Sequence, residues 1–93
     1  MMIGNLVLDF YIPHANSLKS KRMVVRSVKE KLKSKFNVSV AEVGNQDLWQ
    51  NAQIAVVLVA PDKKQVEKSL QSIVKFIESN YPDLHINIYK EII

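Results

Sequence analysis

The stretch Ser17 to Phe36, SLKSKRMVVRSVKEKLKSKF, limits what this chain can become more than any other segment. At about 100° per residue, Leu18, Val25, Val28, Leu32 and Phe36 fall within an arc of roughly 80°. That spacing predicts a helix with one core-facing stripe. Lys19, Arg22, Arg26, Lys29 and Lys33 fall in a second arc of similar width, beside the first. The segment holds eight of the thirteen Lys and Arg and one of the nine acids, Glu30. Its formal charge is +7 in a chain that totals +4. The helix is expected to anchor by one stripe and to display charge along the next.

Around this helix the patterns alternate between strand and helix periods. Met2 to Ile12 reads as a strand, with Leu6, Leu8, Phe10 and Ile12 on one face and Val7, Asp9 and Tyr11 on the other. Pro13 ends it, and Ser17 is placed to cap the basic helix. Asn37 is expected to close that helix in the left-handed conformation. Val38 to Val43 is a second strand. A loop with Gly44, Asn45, Gln46, Asp47, Leu48 and Trp49 follows. Gln53 to Ala60 is apolar on both faces, as expected of a strand inside a sheet. Asp62 and Gln65 resemble a capping box. After them Val66, Leu70, Ile73, Ile77 and Tyr81 mark a second amphipathic helix. Pro82 stops it. Leu84 to Ile93 is the last strand, with Ile86, Ile88 and Ile92 on one face.

The order β-α-β-β-α-β closes most simply as a ferredoxin-like α/β sandwich, with two helices on one face of a four-stranded, mostly antiparallel sheet. Ninety-three residues make one domain, spanning 1–93. The absence of cysteine excludes a disulfide scaffold and a thiolate metal site. The longest apolar run, Ile54 to Ala60, is far short of a membrane span. The N-terminus lacks a signal-peptide pattern. These features predict a cytoplasmic protein without membrane partners.

Three runs carry a resemblance to a known family. They are Ser17-Leu18-Lys19-Ser20-Lys21-Arg22, then Phe36-Asn37-Val38-Ser39-Val40-Ala41-Glu42-Val43, and then Gln46-Asp47-Leu48-Trp49-Gln50. In this order, in a chain of this length, they resemble the bacterial YlxP-like family, a domain of unknown function. The resemblance implies a ferredoxin-like fold. In many bacteria genes of that family neighbour those for translation and ribosome maturation, ribosome-binding factor A among them. That neighbourhood implies an RNA or ribosome role. It supplies no catalytic residues.

The residues allow three classes of function. The first is a non-enzymatic module that meets RNA, ribosomal RNA or a ribosomal subunit, through Lys19, Arg22, Arg26, Lys29 and Lys33. Against it stands a solvated, solubilising helix face, although such faces usually interleave signs and this one offers only Glu30. The second is a homodimer or protein-binding module using the uncovered sheet face, Tyr11 included, and Trp49. Trp49 either stacks a base, anchors a protein partner or caps the core. The third, a phosphate-processing enzyme of the same topology, is disfavoured. The connection Pro13-His14-Ala15-Asn16-Ser17 has neither glycine nor arginine to cradle a phosphate, and Gly4 and Gly44 make no nucleotide loop. His14 and His85 lie far apart in sequence, so no metal, cofactor or catalytic residue is expected. An RRM-like sheet site is also rejected, because the third strand has no aromatic residue. Lys21 falls inside the apolar arc. Its stem is expected to pack on the core while its ammonium reaches out to a partner such as Glu42 or Asp9.

Overall fold

A ten-residue strand, β1, runs through the middle of the sheet. In the computed structural model, which describes residues 1–93, the elements are β1 (Met2–Tyr11), α1 (Leu18–Lys35), β2 (Ser39–Gly44), β3 (Asn51–Ala60), α2 (Lys63–Asn80) and β4 (His85–Ile92). The sheet order is β2-β3-β1-β4, and all three pairings are antiparallel. This is the ferredoxin-like arrangement expected from the order of periods. The alternating strand β1 and the doubly apolar strand β3 are the two inner strands, each paired on both edges.

The alternation in β1 sets which residues go under the helices. Leu6, Leu8, Phe10 and Ile12 are buried, and β3 adds Ala52, Ile54, Val56 and Leu58. From above, α1 supplies Val25, Val28 and Leu32, and α2 supplies Val66, Leu70, Ile73 and Ile77. These residues belong to one continuous core. Leu18 and Phe36, at the ends of the α1 stripe, are only half-buried. The helices also meet through polar and aromatic contacts. The Ser27 and Tyr81 hydroxyls lie 2.8 Å apart, and the Phe36 and Phe76 rings pack edge to face with centroids 5.6 Å apart.

Both helix starts follow their sequence signals. Ser17 Oγ accepts from Ser20 N at 3.0 Å, and Asp62 Oδ1 accepts from Gln65 N at 2.9 Å. The Gln65 amide donates to Asp62 Oδ2 at 3.3 Å. A carboxylate cap thus takes both bonds, where a hydroxyl cap would leave the glutamine to reach the backbone.

Two expectations need correction. Asn37 is not a left-handed cap. The helix ends at Lys35, with Phe36 extended at φ −125° and its N–H donating to Leu32 O. Turning the chain out at Phe36 keeps that ring against Phe76, and packing prevails over the local preference of asparagine. The left-handed residue is Asn45, with φ 61°. Lys21, for its part, does not carry its ammonium to solvent. It is 1% exposed, and Nζ lies 3.0 Å from Glu42 Oε2. Nζ also donates to the Asn45 carbonyl oxygen. Glu42 Oε2 takes no directed hydrogen bond, so the pair is held by charge contact.

Removing one member of a buried pair strands the other without a partner. Lys21→Ala should lower the unfolding free energy by about 3 kcal/mol, read from urea denaturation. Lys21→Met combined with Glu42→Gln should recover most of that loss, whereas additive losses would refute the coupling. Gly4 marks a second tight spot, because a Cβ there would stand 2.6 Å from Val66 Cγ1 and 3.3 Å from Leu70 Cδ2. Both neighbours are fully buried. Gly4→Ala should therefore push α2 off β1 and cost about 1–3 kcal/mol by the same measurement.

Candidate nucleic-acid interface

The eight cations of the α1 segment divide by what they touch. Lys21 is buried in its pair with Glu42. Lys31 lies over the Tyr81 ring at 5.1 Å, and Lys35 over the Phe76 ring at 5.0 Å. These two cover aromatic faces between the helices. The remaining five are Lys19, Arg22, Arg26, Lys29 and Lys33. All are exposed except Lys29, which is half-buried, and none takes part in an ion pair.

Helical spacing brings four of the five together. Arg22, Arg26, Lys29 and Lys33 line an open groove of about 470 Å³ beside β2, with Val25, Glu30 and Glu42. Lys19 stands outside it. Of the two acids, Glu42 already faces the Lys21 ammonium, so Glu30 alone opposes the four cations. The groove can hold an anionic chain against a helix surface. It offers no nucleophile with an adjacent base, and no three acids or histidines gather closely enough to hold a metal ion.

Lys21 also organises the loop that follows β2. A register shift between Glu42 and Gly44 leaves Val43 as an extra residue on the edge strand. This bulge, followed by left-handed Asn45, turns the Asn45 carbonyl toward α1. The same oxygen accepts from Leu48 N at 3.1 Å. Further on, Ile12 N donates to Gln50 O at 2.7 Å, and Gln50 Nε2 donates to Pro13 O at 3.2 Å. The loop carrying Trp49 is thus tied to α1 and to the end of β1. Nothing in the local sequence announces these ties; the pattern of hydrophobic residues places elements but not the carbonyls of a bulged edge.

Trp49 does not cap the core. It is 55% exposed and borders a hollow of about 540 Å³ with Pro13, His14, Ala15, Asn16, Leu48, Gln50 and Asn51. Tyr11 is elsewhere. It lies on the open sheet face, opposite Asn51 and His85 in the strand register, with its ring 5.9 Å from that of His85. Tyr11 does not line the Trp49 hollow, which instead lies near the start of the basic helix. No helix is long and apolar enough to cross a membrane.

The uncovered face of the sheet is apolar along one line. Tyr89, Val7, Ala55 and Ala41 are mutual partners in the strand register and form a row across all four strands. Val57 and Val59 extend it, and Tyr89 and Val59 are 57% and 61% exposed. Row and basic groove lie on opposite sides of the sheet.

The chain resembles known proteins along nearly its whole length. It is 38% identical over 87 residues to the uncharacterised protein YlxP of Bacillus subtilis (strain 168), covering 94% of each chain. Among solved structures, a dimeric ferredoxin-like protein from an uncultured marine organism matches with a TM-score of 0.54 and 16% identity, over 99% of this chain and 92% of that one. A VAO-type flavoprotein from Myceliophthora thermophila matches with a TM-score of 0.58 and 14% identity, over 99% of this chain but only 16% of the flavoprotein. At such identities these two likenesses concern the fold alone. Residues 3–90 match the model of a protein family of unknown function, DUF503, and with the YlxP relative this places the chain in the YlxP-like family.

Proposed function

We propose that this protein is a non-enzymatic binding module that meets RNA, with ribosomal RNA as its first expected partner, through the basic face of α1. The observation that carries this reading is the groove: Arg22, Arg26, Lys29 and Lys33 face it without ion-pair partners. Of the two acids lining the groove, Glu42 is already committed to Lys21, which leaves Glu30 alone against four cations. A solubilising face would gain from interleaved acids. Phosphates gain from their absence, because each contact releases counterions.

Co-sedimentation with purified small and large ribosomal subunits over a salt series tests this reading. Binding to one subunit should weaken with a slope of roughly −3 to −4 in log affinity against log salt, for four or five phosphate contacts. Replacing Arg22, Arg26 and Lys29 with Glu should abolish it. Salt-indifferent binding, or binding that survives the charge reversal, would retire the basic helix as the interface.

A second reading rests on the apolar row of the open sheet face, which suits a second copy of this chain packed sheet to sheet. Sedimentation equilibrium should then return twice the monomer mass at high protein concentration, with little response to salt. Val57→Lys together with Tyr89→Lys should return the monomer, and a monomeric wild type at all concentrations would end this reading.

A further inference from the structure

We propose that the RNA bound here is single-stranded, with Trp49 as the platform on which one unpaired base stacks while the α1 groove holds the neighbouring phosphates. The proposal rests on the RNA reading above and names the class of RNA that the same face takes. Three observations carry it.

The first is the state of Trp49. A large apolar side chain in a polar loop usually covers core, yet this one is 55% exposed. Its loop is not loose. The Asn45 carbonyl is fixed by Lys21, and Gln50 is bonded to Ile12 and Pro13, just past the end of β1. An exposed indole on a tethered loop is presented for contact, and its order is already established before a ligand arrives.

The second is position. The hollow beside Trp49 includes Ala15 and Asn16, directly before the Ser17 cap of α1. The basic groove begins at Arg22 on that same helix and ends at Lys33. Eleven residues of helix span about 17 Å. At about 3.4 Å per stacked nucleotide, and more where the strand is extended, this length suits three to five nucleotides. Glu42 borders the groove and Asn45 belongs to the Trp49 loop, and both meet the Lys21 ammonium. Groove and hollow therefore adjoin across one fixed point.

The third is the chemistry of the hollow. Bases in a duplex are stacked on one another and present no free face, whereas an unpaired base does. His14, Asn16 and Gln50 surround the indole with donors and acceptors suited to a base edge. A cation groove that tracks phosphates, ending in an aromatic platform, is the combination by which single strands are held.

Trp49 is the only tryptophan, so intrinsic fluorescence reports this site alone. The test titrates the full chain at low salt with a single-stranded oligouridylate of about twelve nucleotides, and with an RNA duplex of equal length. Tryptophan emission and the anisotropy of end-labelled RNA are read separately. The oligouridylate should quench Trp49 saturably, at the same midpoint as the anisotropy change, and should bind more tightly than the duplex. Trp49→Ala should weaken single-strand binding about fivefold or more and leave the salt slope unchanged, while Trp49→Phe should keep most of the affinity. Binding seen by anisotropy without quenching, indifference to Trp49→Ala, or preference for the duplex would overturn the platform while leaving the basic face as an RNA contact. No anisotropy change with either RNA would defeat the RNA reading itself, and the platform with it.

Discussion

The Lys21 ammonium holds three separate parts of this molecule in register. It sits 1% exposed on the core side of α1, touching Glu42 on the edge strand β2 and the carbonyl of Asn45 in the following loop. Burying a charge is costly, and only good partners offset the lost hydration. Those partners exist because β2 bulges at Val43 and Asn45 turns left-handed. β2 is six residues long and has only β3 as a strand neighbour. An edge strand presents a row of unpaired backbone groups, which a bulge or a covering helix protects. Here the cover is α1, tied down by an ion whose alternatives are all worse. A conformer that slips β2 by one residue would carry Glu42 to the open face and leave the ammonium buried without a counter-charge.

This arrangement also shapes the field outside the protein. A helix with eight cations in twenty residues would repel itself if all of them faced one way. Lys21 is spent on Glu42, and Lys31 and Lys35 are spent on aromatic faces at the junction with α2. What remains is a narrow band of five, four of which share a groove. Pairing Glu42 inward removes an acid from the outer balance of that groove. The interaction that stabilises the edge strand is thus the one that leaves the groove positive. Stability and electrostatic display are not competing uses of the helix, since they draw on different lysines.

Most of the fold was legible because it depends on periodicity. Two helical stripes, one strand with strict alternation and one apolar on both faces sufficed to order the sheet. Ser17 and Asp62 were legible as caps because a cap is local, requiring one side chain and one turn. Lys21 was legible as an anomaly, a charge in an apolar arc, and Glu42 was one of its two expected partners. Its depth was not legible, because depth depends on a bulge at Val43, far along the chain from Lys21, and Val43 carries no mark that it is an extra residue. Asn37 misled for a related reason. Asparagine favours the left-handed region wherever it stands, but the long-range contact of Phe36 with Phe76 decided the backbone there. Ile88 shares a face with Ile86 and Ile92 as expected, yet α2 leaves it 41% exposed, beside Leu70 and Val74 in an open groove. Strand pattern states which side a residue faces; helix placement states whether anything covers it.

The two faces proposed for binding do not exclude one another. Both helices lie on one side of the sheet, and the Tyr89-Val7-Ala55-Ala41 row lies on the other. A sheet-to-sheet dimer would bury the row and leave both basic grooves facing outward. Two grooves on one such particle would engage a long RNA with an effective local concentration that neither has alone. Affinity for such an RNA would then depend on protein concentration through the dimer, while affinity for a short oligonucleotide would not. Salt would act on each groove, and the apolar row would be nearly indifferent to it. The sandwich therefore separates two surfaces of different physical kind, with charge on the helix layer and apolar surface on the open face of the sheet.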